Sequence, residues 1–385
     1  MKNVLPKRKI HRIVVTGGPC GGKTTTISIL SQKLSEAGYR VFIVPEVATM
    51  LIGGGAVVSE LRKNPQAWEV LQETILRFQF DIEKRFLRLA KAHKGKIVII
   101  YDRGTMDVMA YMDRVRFINI LKRTGNTISQ ARDSRYDAVI HLVTAANGAE
   151  DFYNLTSNSA RYETAEEARI RDSRTMNAWL GHEHFRVIGN RVGDVSINFE
   201  TKMHLAVEAV FEALGIPEPI EREHKYLLEA FQKPPKDSIG FEIIQTYLNS
   251  SDPTIERRVR KKNQIGESDY IFTYAEKIVI KGGAHSGPKE RIERERLISK
   301  REYLAYLLDR DPHREDILKT RYVFVWENQY FQMDFIVHPT NLVLLEVELT
   351  KSQSTPILPS EIKVIRDVTS DSEYSNSNIA KRLSL

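Results

Sequence analysis

The run Gly17-Gly18-Pro19-Cys20-Gly21-Gly22-Lys23-Thr24 has the residue types and spacing to hold phosphate. It fits G-x-x-x-x-G-K-[ST]. An apolar stretch before it and an amphipathic one after it supply the strand and helix such a loop needs. Glycines let the main chain curl so that its N–H groups converge on phosphate oxygens. The start of the following helix adds positive potential. Lys23 is expected on the β- and γ-phosphates and Thr24 on a bound Mg²⁺. Gly17, Gly18, Pro19, Cys20, Gly21, Gly22, Lys23, Thr24 and Thr25 are thus the expected nucleotide contacts. Cys20, the one cysteine of the chain, reads as a small residue that suits the loop. A thiol acidified by the loop's field is the alternative.

The apolar run Lys96–Tyr101 stops at Asp102-Arg103-Gly104. A carboxylate there holds Mg²⁺ directly or through water, although Asp also caps helices. Arg103 is placed to meet a second anionic group. The run Val41–Val44 ends before Pro45-Glu46, and strand C-termini line the ligand crevice of an open parallel sheet. Glu46 either orients a water or takes a hydroxyl proton there, or it merely starts a helix. Arg161, Arg169, Arg171 and Arg174 follow the fourth strand on a polar, helical stretch. An arginine-bearing lid is favoured over a solvated face, for Arg161 above all. The catalytic candidates are therefore Glu46, Asp102, Arg103 and Arg161. Asn190, after the fifth strand, is a candidate base contact. No N-K-x-D motif occurs, so the residues alone leave GTP and ATP open.

A second constellation lies in the other half of the chain. Glu221, Glu223 and Lys225 alternate, as do Arg258 with Arg260, Lys277 with Lys281, and Arg291 with Glu293 and Glu295. Lys319 with Arg321 and Glu346 with Glu348 repeat the spacing. Side chains two apart on a strand share a face. A closed barrel of about eight strands has an interior wide enough for one ligand. Lys225, Arg258, Arg260, Lys277, Arg291 and Arg321 would bind phosphates there. Glu221, Glu223, Glu346 and Glu348 would hold a divalent cation. A sheet whose polar face meets solvent is the plainer alternative.

These groups need elements to position them. Ile13–Thr16, Val41–Val44, Ile97–Tyr101, Ala138–Val143 and Phe185–Ile188 read as buried parallel strands. Lys23–Ala37, Gln66–Ala92 and Phe199–Leu214 read as helices, the first and last stopped by Gly38 and Gly215. The fold class is thus an α/β P-loop domain with a parallel sheet, over 1–216. An α+β domain built on an antiparallel β-barrel follows over 217–385. Pro217-Glu218-Pro219 reads as the linker. Glu361–Val368 reads as a late strand, and the Ser/Asn-rich Thr369–Asn378 as a loose tail.

The net charge is +7, which favours anionic partners. Nucleic acid is disfavoured, because the basic residues alternate along strands and do not form one aromatic-studded face. No apolar run reaches the length of a membrane helix, and the N-terminus lacks an apolar export core. A reducing, cytoplasmic setting is expected.

The pattern E-x-E-x-K at Glu221–Lys225, R-x-R at Arg258–Arg260, R-x-E-x-E at Arg291–Glu295 and E-x-E at Glu346–Glu348 resembles the CYTH, or triphosphate tunnel, superfamily. Asp334 matches its usual acidic position, and Val368-Thr369 with Tyr374-Ser375 resembles its C-terminal closure. The N-terminal half resembles NadR-like P-loop domains. Together, with Ala145–Tyr153 and Ala178–His182, they resemble the TRPL translocation defect protein family of insects and its relatives. That resemblance implies GTP binding by the first domain and phosphoinositide or polyphosphate binding by the second. It also implies peripheral membrane contact and a part in trafficking of membrane proteins. A small-molecule kinase, with Glu46 as base, and a metal-dependent triphosphatase in the barrel are the rival readings.

Overall fold

The computed structural model describes residues 10–150, 153, 164–192, 195–215, 223–252, 254–279, 291–348 and 356–381. The chain forms two compact units, Met1–Ala213 and Leu214–Leu385.

In the first unit the strands are β1 (Ile10–Gly17), β2 (Tyr39–Val44), β3 (Lys96–Asp102), β4 (Ala138–Leu142) and β5 (Phe185–Ile188). They form one parallel sheet in the order β2-β3-β1-β4-β5. Their β-branched runs are covered on both faces, so Ile13, Val14, Val15 and Ile97 to Ile100 are buried. Helices connect them: α1 (Lys23–Glu36), α2 (Val47–Gly53), α3 (Val58–Leu61), α4 (Pro65–Ala92), α5 (Arg114–Arg123), α6 (Ile128–Ala131), α7 (Ala165–Trp179) and α8 (Phe199–Leu214). Before α8 lies a two-residue ribbon of β6 (Arg191–Val192) and β7 (Val195–Ser196). The helix ends follow local chemistry. Asn64 caps α4 by accepting from the Gln66 and Ala67 amides, with Pro65 at the first helical position. Thr164 and Glu167 exchange hydrogen bonds at the start of α7.

This order decides where the loops meet. Central β1 leaves between β3 and β4, with Val15 opposite Asp102 and Gly17 opposite Leu142. The Gly17–Gly22 loop thus emerges beside the end of β3.

The second unit is one antiparallel sheet of β8 (Glu223–Leu228), β9 (Ile239–Leu248), β10 (Ile255–Gln264), β11 (Tyr270–Val279), β12 (Arg291–Leu297), β13 (Ile317–Trp326), β14 (Gln329–His338), β15 (Leu342–Glu348) and β16 (Val364–Asp367). Two short helices, α9 (Lys300–Tyr306) and α10 (Asn376–Ile379), complete it. The ladder runs β12-β11-β10-β9-β13-β14-β15-β8-β16. It was expected to close into a barrel. Among the described residues no pairing joins its ends, so the finding is a nine-stranded antiparallel sheet. The sheet is nevertheless not flat. Lys277 on β11 acts electrostatically on Glu223 and Lys225 of β8. In a flat sheet six strand spacings would hold them ~29 Å apart, well beyond the ~8–10 Å over which charges are felt in salt.

The apolar face packs Phe324, Phe331, Met333, Val343, Leu345 and Val347 into one cluster. The Ser/Asn-rich tail corrects an expectation, for it is not loose. Asp371 and Ser375 cap its turns, and Tyr374, Ile379 and Ala380 pack on Tyr247, Ile317, Ile336 and Leu344. The linker Pro217–Pro219 lies outside the described residues.

Candidate functional site

The phosphate loop depends on conformations that its glycines allow. Gly17 has φ 143° and Gly22, the N-cap of α1, has φ 92°. A β-carbon at Gly21 would lie 2.7 Å from the Leu142 carbonyl oxygen. Cys20 takes φ 55° inside the same loop. Thr24 and Thr25 stand exposed on the first turn of α1. Lys23 folds back over the loop and donates to the Gly17 and Gly18 carbonyls at 3.3 and 3.1 Å. Burial, then the nearby Arg103 cation, lower its ammonium to about 8. A bound anion would reverse that second effect.

Three charged candidates converge on Lys23. Arg103 Nε donates to Glu46 Oε1 at 2.6 Å, and its Nη1 to the Gly17 carbonyl at 3.3 Å. Burial resists charge on Glu46, but Arg103 and Lys23 outweigh it and hold the carboxyl below its ordinary range. Glu46 stands at the N-cap of α2 without capping it through its side chain, so its place is not explained by helix initiation. Asp102 is pushed the other way, raised by burial and then by Glu46. Its Oδ1 is buried without a hydrogen-bond partner. A cation beside it would satisfy that oxygen and restore its charge. The donor set of Thr24 and Asp102 with phosphate oxygens therefore suits Mg²⁺. Among the described residues no group of three or more His, Cys, Asp or Glu is arranged for a metal.

Several contributors escaped sequence reasoning. Asp107 accepts from the Gly104 amide at 2.6 Å and from the Thr16 hydroxyl, bracing the turn after β3. Asp172 on α7 accepts from the Gly18 amide at 2.7 Å and lies 3.0 Å from His141 Nε2. Thr144 donates to the Pro19 carbonyl at 2.5 Å. These groups sit far from the loop in sequence and belong to no motif, so no sequence signal marked them. Asn190 is not where a base contact was expected to be free. Its amide donates to the Thr144 and Asn147 carbonyls, and its oxygen accepts from Lys202. Arg169 donates to the Ala146 carbonyl and Arg171 to that of Ala110. Arg174 is exposed, and Arg161 lies outside the described residues.

Register in the second unit puts the expected charges on one face. Glu346 pairs with Lys225, Asp334 with Arg321, Gln245 with Arg260, and Glu256 with Lys277. Lys225 reaches Glu346 at 2.8 Å and Glu223 at 3.5 Å. Arg321 grips Asp334 through Nε and Nη2 at 2.6 and 2.7 Å and Glu346 at 2.8 Å. Lys319 meets Asp334 at 2.5 Å, and Arg260 meets Glu295 at 3.3 Å. Arg258, Lys277, Lys319 and Asp334 are all buried, which a sheet face open to solvent would not give. Burial and then Arg321 lower Lys319 to about 8. Burial and then Glu346 raise Glu223. Lys319 and Asp334 thus join the expected set. Glu348 stands opposite Glu223 and Arg291 opposite Val279 in register, their side chains being outside the described set. Glu221 lies outside the described residues, so the four-carboxylate cation site is described only at Glu223 and Glu346. Tyr247, Ile336 and Leu344 pack with Val368, Tyr374 and Ala380 of the tail.

Comparison with known proteins bears on the first unit. Residues 12–196 match the family model described as AAA domain. A match to that class suggests nucleotide binding, and the stretch from Gly17 to Asp102 falls inside the matched residues. No curated protein matches the chain. Similar solved structures include those of the hypothetical protein NE1496 and the inorganic triphosphatase NE1496. Each is 23% identical, with TM-scores of 0.30 and 0.29, and they cover 43% and 42% of this chain and 99% and 95% of theirs. The PH1819 protein from Pyrococcus horikoshii OT3 is 17% identical, covering 34% of this chain and 80% of its own, with a TM-score of 0.27. Likenesses this slight leave the charged face to be read from its own geometry. No helix among the described residues is long and apolar enough to cross a membrane.

Proposed function

We propose that the first unit binds a nucleoside triphosphate with Mg²⁺ and works as a nucleotide switch or hydrolase. The single observation that carries this is the buried, unpartnered Asp102 Oδ1 at the end of β3, on the strand next to the glycine loop that presents Lys23. When bound, Mg²⁺ would supply charge for the β- and γ-phosphates. The chain's own residues do the rest. The loop amides grip phosphate, Lys23 leaves its two carbonyl acceptors for the phosphates, and Glu46 orients a water beside Arg103. GTP as the base is proposed from the sequence resemblance.

We further propose that the charged face of the second unit holds a polyphosphorylated anion, a phosphoinositide headgroup or a polyphosphate, with Lys225, Arg258, Arg260, Lys277, Arg291 and Arg321 as contacts. Contact with a membrane surface and a part in protein traffic follow from the same resemblance. A kinase reading keeps one specific support: Glu46 is held ionised, the form that takes a proton from an acceptor hydroxyl.

Calorimetric titration of the full chain with Mg·GTP and Mg·ATP tests the nucleotide reading. Binding should be lost in Lys23→Ala and weakened by EDTA. Equal affinity in parent and variant ends the proposal.

A further inference from the structure

Helix α7 is tied to every loop that leaves the ligand edge of the central strands. Asp172 accepts from the Gly18 amide of the phosphate loop at 2.7 Å. The same oxygen lies 3.0 Å from Nε2 of the fully buried His141 on β4, and the Thr144 amide also bonds to this carboxylate. One turn earlier, Arg169 donates to the Ala146 carbonyl at 2.7 Å. Arg171 donates to the Ala110 carbonyl at 3.1 Å and lies 4.1 Å from the Tyr111 ring centre, and Tyr111 is felt electrostatically by Arg103. A buried carboxylate that joins a loop amide to an imidazole is a stiff, directional link. Space is tight as well, for a β-carbon on Gly18 would stand 2.5 Å from Asp172 Oδ1.

We propose that Asp172 is a positioning residue that couples the phosphate loop to α7, so that nucleotide in the loop is transmitted along that helix to the segments it braces. Phosphate drawing on the loop amides shifts the Gly18 peptide. Asp172 follows, and α7 carries the change to Ala146 and to the turn holding Arg103. This rests on the nucleotide reading and adds the route by which occupancy leaves the site.

Hydrogen exchange on the full chain, with and without Mg·GTP and Mg·ATP, tests it. Nucleotide should slow exchange of the α7 amides by ~10-fold or more, the size expected where a local opening is suppressed. Asp172→Leu should weaken nucleotide binding by ~10-fold or more and erase that protection. Asp172→Asn keeps an acceptor for the Gly18 amide and should restore both. Parent protein that binds nucleotide with α7 exchange unchanged overturns the coupling without touching the nucleotide reading, and needs no variant to fold. Asp172→Leu with the parent's affinity and protection overturns it too. Parent protein that binds neither nucleotide overturns both.

Discussion

Arg103 meets Glu46 at 2.6 Å across the ends of β3 and β2, and it does so from a left-handed backbone at φ 68°. Such a conformation costs a non-glycine residue on the order of 1–3 kcal/mol. The turn is pinned by the Arg103 amide on the Val15 carbonyl and by Gln79 on the Arg103 carbonyl. The strained turn aims the guanidinium at Glu46 and at the Gly17 carbonyl, next to Lys23.

Glu46 is therefore an ionised carboxylate at the phosphate end of the sheet. If the protein turns nucleotide over, Glu46→Gln should lower the rate by ~10²-fold, the usual share of a general base, with nucleotide affinity nearly unchanged. Single-turnover assays with labelled nucleotide check this. An unchanged rate would reduce Glu46 to an ion-pair partner of Arg103.

Lys23 supplies a pH dependence with a definite sign. Its free ammonium titrates at about 8 because of burial and Arg103. Bound phosphate favours the charged form and raises that value, so binding takes up a proton above the free pKa. Affinity should fall about tenfold from near pH 7 to near pH 9. Calorimetry in buffers of different ionisation enthalpy measures the proton taken up. A flat profile would show that Lys23 stays charged in the empty loop.

Gly18 and Asp172 predict a steric outcome. Gly18→Ala would drive a methyl group to 2.5 Å from Asp172 Oδ1 and 2.8 Å from its β-carbon. Both belong to a packed helix, so the loop must give way. Nucleotide affinity should drop by more than ~10-fold while the melting temperature shifts by only a few degrees. A variant that binds normally would show that the loop tolerates displacement there.

Much of this was legible in local pattern. The glycine loop, Asp102 and the five parallel strands follow from spacing and β-branched runs, since a strand buried on both faces has few alternatives. Helix α4 was legible as the long amphipathic run Gln66–Ala92, its start being set by Asn64 and Pro65. The alternating charges of the second half correctly marked one sheet face, and register put Lys225, Arg258, Arg260, Lys277, Arg321 and Glu346 there. Asp172, His141 and Thr144 were illegible because a lone polar residue on a helix or strand carries no period. Its partner is fixed only when β4 and α7 close around the loop. The commitment of Asn190 to backbone carbonyls and the packing of the Ser/Asn-rich tail are tertiary outcomes of the same kind. The expected closed barrel went beyond what the pattern holds, for alternation reports which residues share a face and not how far the ladder bends.

Asp334 gives the second unit its own test. It is fully buried and takes Lys319 at 2.5 Å and both nitrogens of an Arg321 fork. Asp334→Ala would leave those two cations with Glu346 as a close carboxylate among the described residues. Breaking one side of a buried ion network costs about 3–5 kcal/mol, and thermal denaturation should register it. If the face binds phosphates, inorganic tripolyphosphate should replace the missing charge and stabilise Asp334→Ala more than the parent protein. Sodium chloride at equal ionic strength serves as the control, since general screening would act on both alike. Equal response to the two salts would leave the cations serving only their own carboxylates, and the polyphosphate reading of this face would be lost.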